Sequence, residues 1–117
     1  MDQEKFNDGD PTRIQSIPTF VKVAKVSDLK PGASLTVQVR GLEIALHHIN
    51  HKFYATTNTC PHRGGPLGEG VLEGIVVTCP WHGWQFNVCR GSSLMNPEVK
   101  IATYPVKVDG DDVFVEI

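Results

Sequence analysis

Short alternating segments separated by Gly and Pro are the feature that most constrains how this chain folds. Residues 20–26 alternate apolar and polar side chains, which is the period of a β-strand. Further strands are predicted at residues 35–39, 42–47, 52–57, 75–78, 84–88, 101–108 and 112–117. No segment of useful length has the period of an α-helix. The pattern therefore predicts an all-β fold, an antiparallel sandwich or small barrel.

Turn residues divide the strands into hairpins and one long loop. Arg40-Gly41 predicts a tight hairpin, and Asp109-Gly110 is typical of a type I′ turn between the last two strands. Residues 59–74 contain five glycines and two prolines and are predicted to be loop. The chain of 117 residues suits one domain at 18–117, preceded by a polar extension at 1–17.

Composition excludes several classes of protein. Eleven Lys and Arg against thirteen Asp and Glu give a net charge of −2, which argues against a nucleic-acid partner. No stretch approaches the roughly 18 apolar residues of a membrane span. The polar N-terminus lacks the apolar region of a secretory signal, so a cytoplasmic location is expected. Three cysteines make a closed disulfide framework unexpected.

Two loops each combine one cysteine with one histidine. Their motifs are Cys60-Pro61-His62 and Cys79-Pro80-Trp81-His82, separated by sixteen residues. Ligand type alone is compatible with zinc or with iron–sulfur chemistry. Ligand pairs on structural zinc usually have gaps of about two to four residues, so the single-residue gap in the first motif is awkward for one tetrahedral ion. The arrangement suits two metal atoms better.

Residues 60–70 and 79–86 resemble the signature of the Rieske iron–sulfur proteins, with the sequences CPHRGGPLGEG and CPWHGWQF. The resemblance extends over residues 20–117. It implies Rieske-type antiparallel β-sheets with a cluster-binding part, formed by two loops, at about residues 58–97. It also implies one 2Fe-2S cluster as the cofactor.

The resemblance carries a ligand set with it. Cys60 and Cys79 would bind the inner iron, and His62 and His82 would bind the outer iron near the surface. A third, proline-bearing loop covers the cluster in this family, and Pro97 is the matching candidate.

Departures from one branch of the family indicate the kind of Rieske protein. The cytochrome bc branch has a disulfide between the two loops, but the matching positions here are Gly65 and Trp81. That branch also has Ser and Tyr hydroxyls that donate to cluster sulfurs, where this chain has Trp84 and Phe86. Without these donors the reduction potential should lie near the low end of the Rieske range, about −150 mV. The chain therefore resembles the soluble ferredoxins that supply aromatic-ring dioxygenases.

The resemblance implies an electron carrier that is not itself an enzyme. Its partners would be a flavoprotein reductase and a terminal oxygenase, each docking transiently around the exposed edges of the two histidines. The alternatives are the small subunit of a cytoplasmic nitrite reductase, bound to its large subunit, and a structural zinc module. The residues expected in the docking rim or beside the cluster are Pro61, Arg63, Gly64, Gly65, Leu67, Trp81, Gly83, Trp84 and Pro97.

Other residues that could suggest a site have simpler interpretations. The three histidines 47, 48 and 51 lie around a predicted turn and are expected to be solvated. Cys89 lies outside both motifs and is expected to be a buried, inert thiol. Trp84 is expected to pack in the core, whereas Trp81, between two candidate ligands, is expected to be partly exposed.

Overall fold

A computed structural model describes residues 19–117 as ten β-strands and two short 3-10 helices. The strands are β1 Phe20–Lys25, β2 Ser34–Val39, β3 Leu42–Ile49, β4 Lys52–Thr57, β5 Val71–Glu73, β6 Val76–Thr78, β7 Gln85–Asn87, β8 Thr103–Tyr104, β9 Val106–Asp109 and β10 Asp112–Glu116. The 3-10 helices are Val26–Asp28 and Leu67–Glu69. The extension predicted at residues 1–17 lies outside the described residues.

The strands form three antiparallel sheets. One has the order β9-β10-β1, the second β2-β3-β4-β8, and the third β5-β6-β7. The first two sheets enclose one core, to which Val113 and Val115 contribute from one sheet and Ile44 and Leu46 from the other. The third sheet has its own core, centred on Phe86. The predicted all-β antiparallel architecture is therefore confirmed, and the third sheet lies within residues 58–97, the part predicted to bind the cluster.

Most predicted strands are present, and the differences have local causes. Pro105 interrupts the predicted strand at 101–108, because it has no N–H for a ladder. The segment before it, β8, pairs with β4, and the segment after it, β9, pairs with β10. The loop predicted at 59–74 contains β5, which is only three residues long. The last hairpin turns at Gly110-Asp111 instead of Asp109-Gly110, because Asp109 pairs with Asp112.

Strand β3 is covered on both faces. Ile44 and Leu46 belong to the core between the two larger sheets, whereas Ala45 belongs to the core of the cluster-binding part. The expectation that His47 and His48 are solvated was therefore wrong, since both are buried. His51 is exposed as expected, because it lies in the turn after β3 with a φ of 68°.

Candidate metal centre

Two loops at one end of the third sheet bring the motif residues together. In loop 1 (residues 58–66), the Cys60 N–H donates to the Gly65 carbonyl at 2.9 Å, and the Gly64 N–H donates to the Cys60 carbonyl at 2.7 Å. In loop 2 (residues 79–84), the Cys79 N–H donates to the Trp84 carbonyl at 2.7 Å. These bonds close each loop on itself, so the side chains of the motif project from tight turns.

The two motif cysteines lie together in the interior. Cys60 is 1% exposed and Cys79 is 2% exposed, and their thiols are within hydrogen-bonding reach of each other. Burial raises the pKa of the Cys79 thiol; a hydrogen bond from the Trp81 backbone lowers it, and the neighbouring Cys60 raises it further. A bound metal would replace the thiol protons, since thiolates are the ligating form.

The two motif histidines lie side by side nearer the surface. Their ring centroids are 5.4 Å apart, with the rings nearly perpendicular at 85°. His62 is partly buried and His82 is exposed. His82 has a φ of 70° and is followed by Gly83 at 74°, so the second loop turns in the left-handed region where Gly is favoured.

The residues present fit a binuclear cluster. The Nδ1 atom of His62 is buried and has no hydrogen-bond partner, which is costly for a polar atom unless a ligand satisfies it. A Cβ at Gly65 would lie 2.5 Å from the Cys79 sulfur, so glycine leaves space at that sulfur. Among residues 19–117, no three His, Cys, Asp or Glu side chains are grouped to hold a single metal ion. Two cysteines and two histidines instead suit two irons with two protein ligands each.

The two tryptophans of loop 2 have different positions. Trp84 is partly buried against the core of the cluster-binding part and stacks on His62, with centroids 4.6 Å apart and an angle of 10°. Trp84 thus packs against the core, as predicted, and also contacts His62 of the site. Trp81 is 49% exposed, as predicted, and it covers Gly65 from the other loop.

Asn58 anchors loop 1 to the four-stranded sheet, a role that neither motif predicted. It is 2% exposed, and its Oδ1 accepts from the Gly68 N–H at 2.8 Å and from the Thr36 hydroxyl at 3.0 Å. Its backbone carbonyl accepts from the Leu67 N–H at 2.7 Å. Asn at the end of a strand, two residues before the first cysteine, is the only sequence signal.

The predicted docking rim needs one correction. Leu67 is fully buried in the core of the cluster-binding part, because the 3-10 helix that it begins turns inward below loop 1. Pro61, Arg63 and Pro97 are exposed as a rim requires. Leu94 and Met95, in the loop before Pro97, are 52% and 62% exposed.

Cys89 is exposed, so the prediction that it is buried was wrong. It follows the end of β7 in a turn where the Asn87 side chain accepts from its N–H at 2.8 Å. In that turn the Cys89 side chain lies outside the core.

Residues 19–105 match the family described as the Rieske [2Fe-2S] domain. The chain is similar to the ferredoxin component of the naphthalene 1,2-dioxygenase/salicylate 5-hydroxylase systems of a Ralstonia species, with 37% identity over 99 residues, covering 84% of this chain and 95% of that protein. It is also similar to a chain of the solved complex of reduced oxygenase and oxidized ferredoxin in carbazole 1,9a-dioxygenase. The identity is 38% and the TM-score 0.75, with coverage of 82% of this chain and 91% of that chain.

A third relative has a different description. The solved structure of a nitrite reductase NADPH small subunit is 26% identical with a TM-score of 0.75, covering 83% of this chain and 97% of that chain. Because the family model matches residues 19–105, the chain belongs to the Rieske [2Fe-2S] domain family, and its cofactor is a Rieske-type 2Fe-2S cluster. Residues 19–117 contain no helix long and apolar enough to cross a membrane.

Proposed function

We propose that this protein carries single electrons from a flavoprotein reductase to a terminal oxygenase. The observation that carries the proposal is the site itself. Two buried thiols and two imidazoles converge from loops 1 and 2, and the imidazole of His82 is exposed. Relatives that are ferredoxin components of dioxygenase systems, at 36–37% identity, support the oxygenase as the acceptor.

Cys60 and Cys79 would hold one iron, and His62 and His82 the other. The burial of both sulfurs would exclude water from the iron that they hold, and the unpartnered Nδ1 of His62 is the atom available for the other iron. A 2Fe-2S cluster bound there supplies reversible one-electron transfer. The Trp81 N–H that bonds the Cys79 sulfur would stabilise negative charge on it.

The exposed surface around His82 would be the docking surface. Trp81, Leu94 and Met95 are large apolar side chains with about half or more of their surface exposed, and Pro61 and Pro97 are exposed as well. A contact of this kind buries a small area and releases quickly, as transient redox partners require. The solved complex of an oxygenase with a ferredoxin supports this kind of partner.

An EPR-monitored redox titration tests the centre. We expect a rhombic Rieske-type signal that appears on reduction with a midpoint potential of about −150 mV. The variant His82→Cys should lose or change the signal, because a thiolate would replace an imidazole. Cys89→Ser is the matched control and should leave signal and potential unchanged, since Cys89 is exposed and outside both loops. A His82→Cys protein with the original signal would contradict the ligand set.

The acceptor is tested by stopped-flow mixing of the reduced protein. Rapid reoxidation by a Rieske-type oxygenase, slowed in Trp81→Ser, would support the proposal. The nitrite reductase relative makes a nitrite reductase large subunit the second candidate. Formation of a stable complex with that subunit, without reoxidation by the oxygenase, would favour it.

A further inference from the structure

Trp84 contacts both loops of the metal centre. Its backbone carbonyl accepts the Cys79 N–H at 2.7 Å, which closes loop 2. Its indole stacks on the His62 ring of loop 1, 4.6 Å away and nearly parallel at 10°. One residue therefore links the loop of each cysteine–histidine pair. Positions 65 and 81 are Gly and Trp, so no disulfide joins the two loops there.

The stack restricts a rotation that matters for a histidine ligand. Once the backbone and χ1 of His62 are set, the direction of its ring nitrogens depends on χ2, the rotation about the bond to the ring, which is broad and weakly restricted by itself. An indole lying parallel at contact distance leaves the His62 ring no room to turn edge-on. The plane of the ring is thus fixed, and in this orientation Nδ1 lies in the interior, buried and unpartnered.

His82 is positioned in a different way. Within residues 19–117 its only aromatic neighbour is His62, which meets it edge-on at 5.4 Å. Its backbone lies in the left-handed region at a φ of 70°, and Gly83 continues the turn. In this part of the chain His82 has only an edge-on ring contact, whereas His62 has an indole stacked flat on one face.

We propose that Trp84 is a positioning residue that holds the His62 ring in its ligating orientation and links loop 1 to loop 2. It covers one face of His62 and leaves His82, which is exposed, as the histidine that faces a redox partner. This inference rests on the proposed ligand set.

The two tryptophans provide a matched pair of variants. Trp84→Leu removes the flat face over His62 and keeps an apolar side chain next to the core. Trp81→Leu makes the same change at a residue that is 49% exposed and covers Gly65 instead of His62. Trp84→Phe is the conservative variant, because a smaller ring can still stack.

Pulsed EPR of the reduced holoprotein measures the nitrogen couplings of the two histidine ligands. In Trp84→Leu we expect one of the two couplings to shift and the other to keep its wild-type value. Both should be retained in Trp81→Leu, and Trp84→Phe should lie between Trp84→Leu and wild type. Cluster loss to a chelator should be roughly twofold to tenfold faster in Trp84→Leu, which is the range expected for an aromatic stack.

The outcomes separate this inference from the proposed function. If the wild-type protein lacks two histidine nitrogen couplings, the ligand set itself is wrong. If the wild type has both and Trp84→Leu has the same couplings, the positioning role is refuted alone. If Trp84→Leu binds no cluster but Trp84→Phe does, the requirement for a stacking ring is supported. If neither binds the cluster, a general packing role replaces the proposal.

Discussion

His47, buried on strand β3, makes the stability of this protein depend on pH. His47 is fully buried, with its Nδ1 2.7 Å from the Ser34 hydroxyl and its Nε2 2.9 Å from the Thr56 hydroxyl. The Thr56 hydroxyl donates its single proton to the Thr57 carbonyl, so Nε2–H donates to Thr56, and the Ser34 hydroxyl donates to Nδ1. The neutral imidazole therefore satisfies both of its hydrogen bonds without a charge.

Burial lowers the pKa of His47 from 6.5 to about 4. Between these two values the unfolded chain binds a proton that the folded chain does not, so acid favours unfolding. Stability from this group is complete above about pH 6.5 and falls as the pH decreases toward 4. Since a pKa difference of one corresponds to about 1.4 kcal/mol, the full loss is about 3 kcal/mol.

Native-state hydrogen exchange of the β3 amides, corrected for intrinsic rates, measures this loss without denaturing the metal centre. Between pH 7 and pH 5 the opening free energy of the wild type should fall by about 2 kcal/mol more than that of His47→Gln. His51→Gln is the matched control, because His51 is exposed in the turn after β3, and it should follow the wild-type slope. Equal slopes for wild type and His47→Gln would refute the reasoning.

Five further substitutions test the surroundings of the centre. Phe86→Tyr should raise the potential in a redox titration by about 60–130 mV if its hydroxyl donates to a cluster sulfur; an unchanged potential would mean that position 86 does not face the cluster. Gly65→Ala should reduce the amount of bound iron, because the added Cβ would lie 2.5 Å from the Cys79 sulfur. Gly64→Ala, with φ at +80° and its nearest contact at 3.9 Å, should keep iron and lose about 1 kcal/mol in chemical unfolding. Asn58→Ala should cost about 2 kcal/mol and Thr36→Val about 1 kcal/mol, because Oδ1 serves two donors; a smaller cost for Asn58→Ala would show that loop 1 is anchored elsewhere.

The candidate ligands of the centre could be predicted from the sequence because their chemistry is local. A cysteine and a histidine one or two residues apart, placed twice in Gly- and Pro-rich loops, are short-range features of the chain. Hairpins such as the one at Arg40-Gly41 are local as well, because both residues adopt the positive φ that a tight β-turn requires. The all-β fold follows from the same short-range alternation.

Burial was decided only when distant segments packed together. His47 and His48 lie around a turn in the sequence, yet both are buried. His47 shares the face of β3 with Ala45, which the cluster-binding part covers, and His48 lies on the other face, stacked on Phe53. Leu67 looked like a surface residue of a Gly-rich loop, yet it fills the core below loop 1.

The stack of Trp84 on His62 joins two segments more than twenty residues apart. Short-range patterns in this sequence determined which residues could bind metal and where the chain turns. Only the tertiary structure decided which side chains lie beside those ligands, because such contacts depend on where distant loops meet, and no local periodicity encodes that.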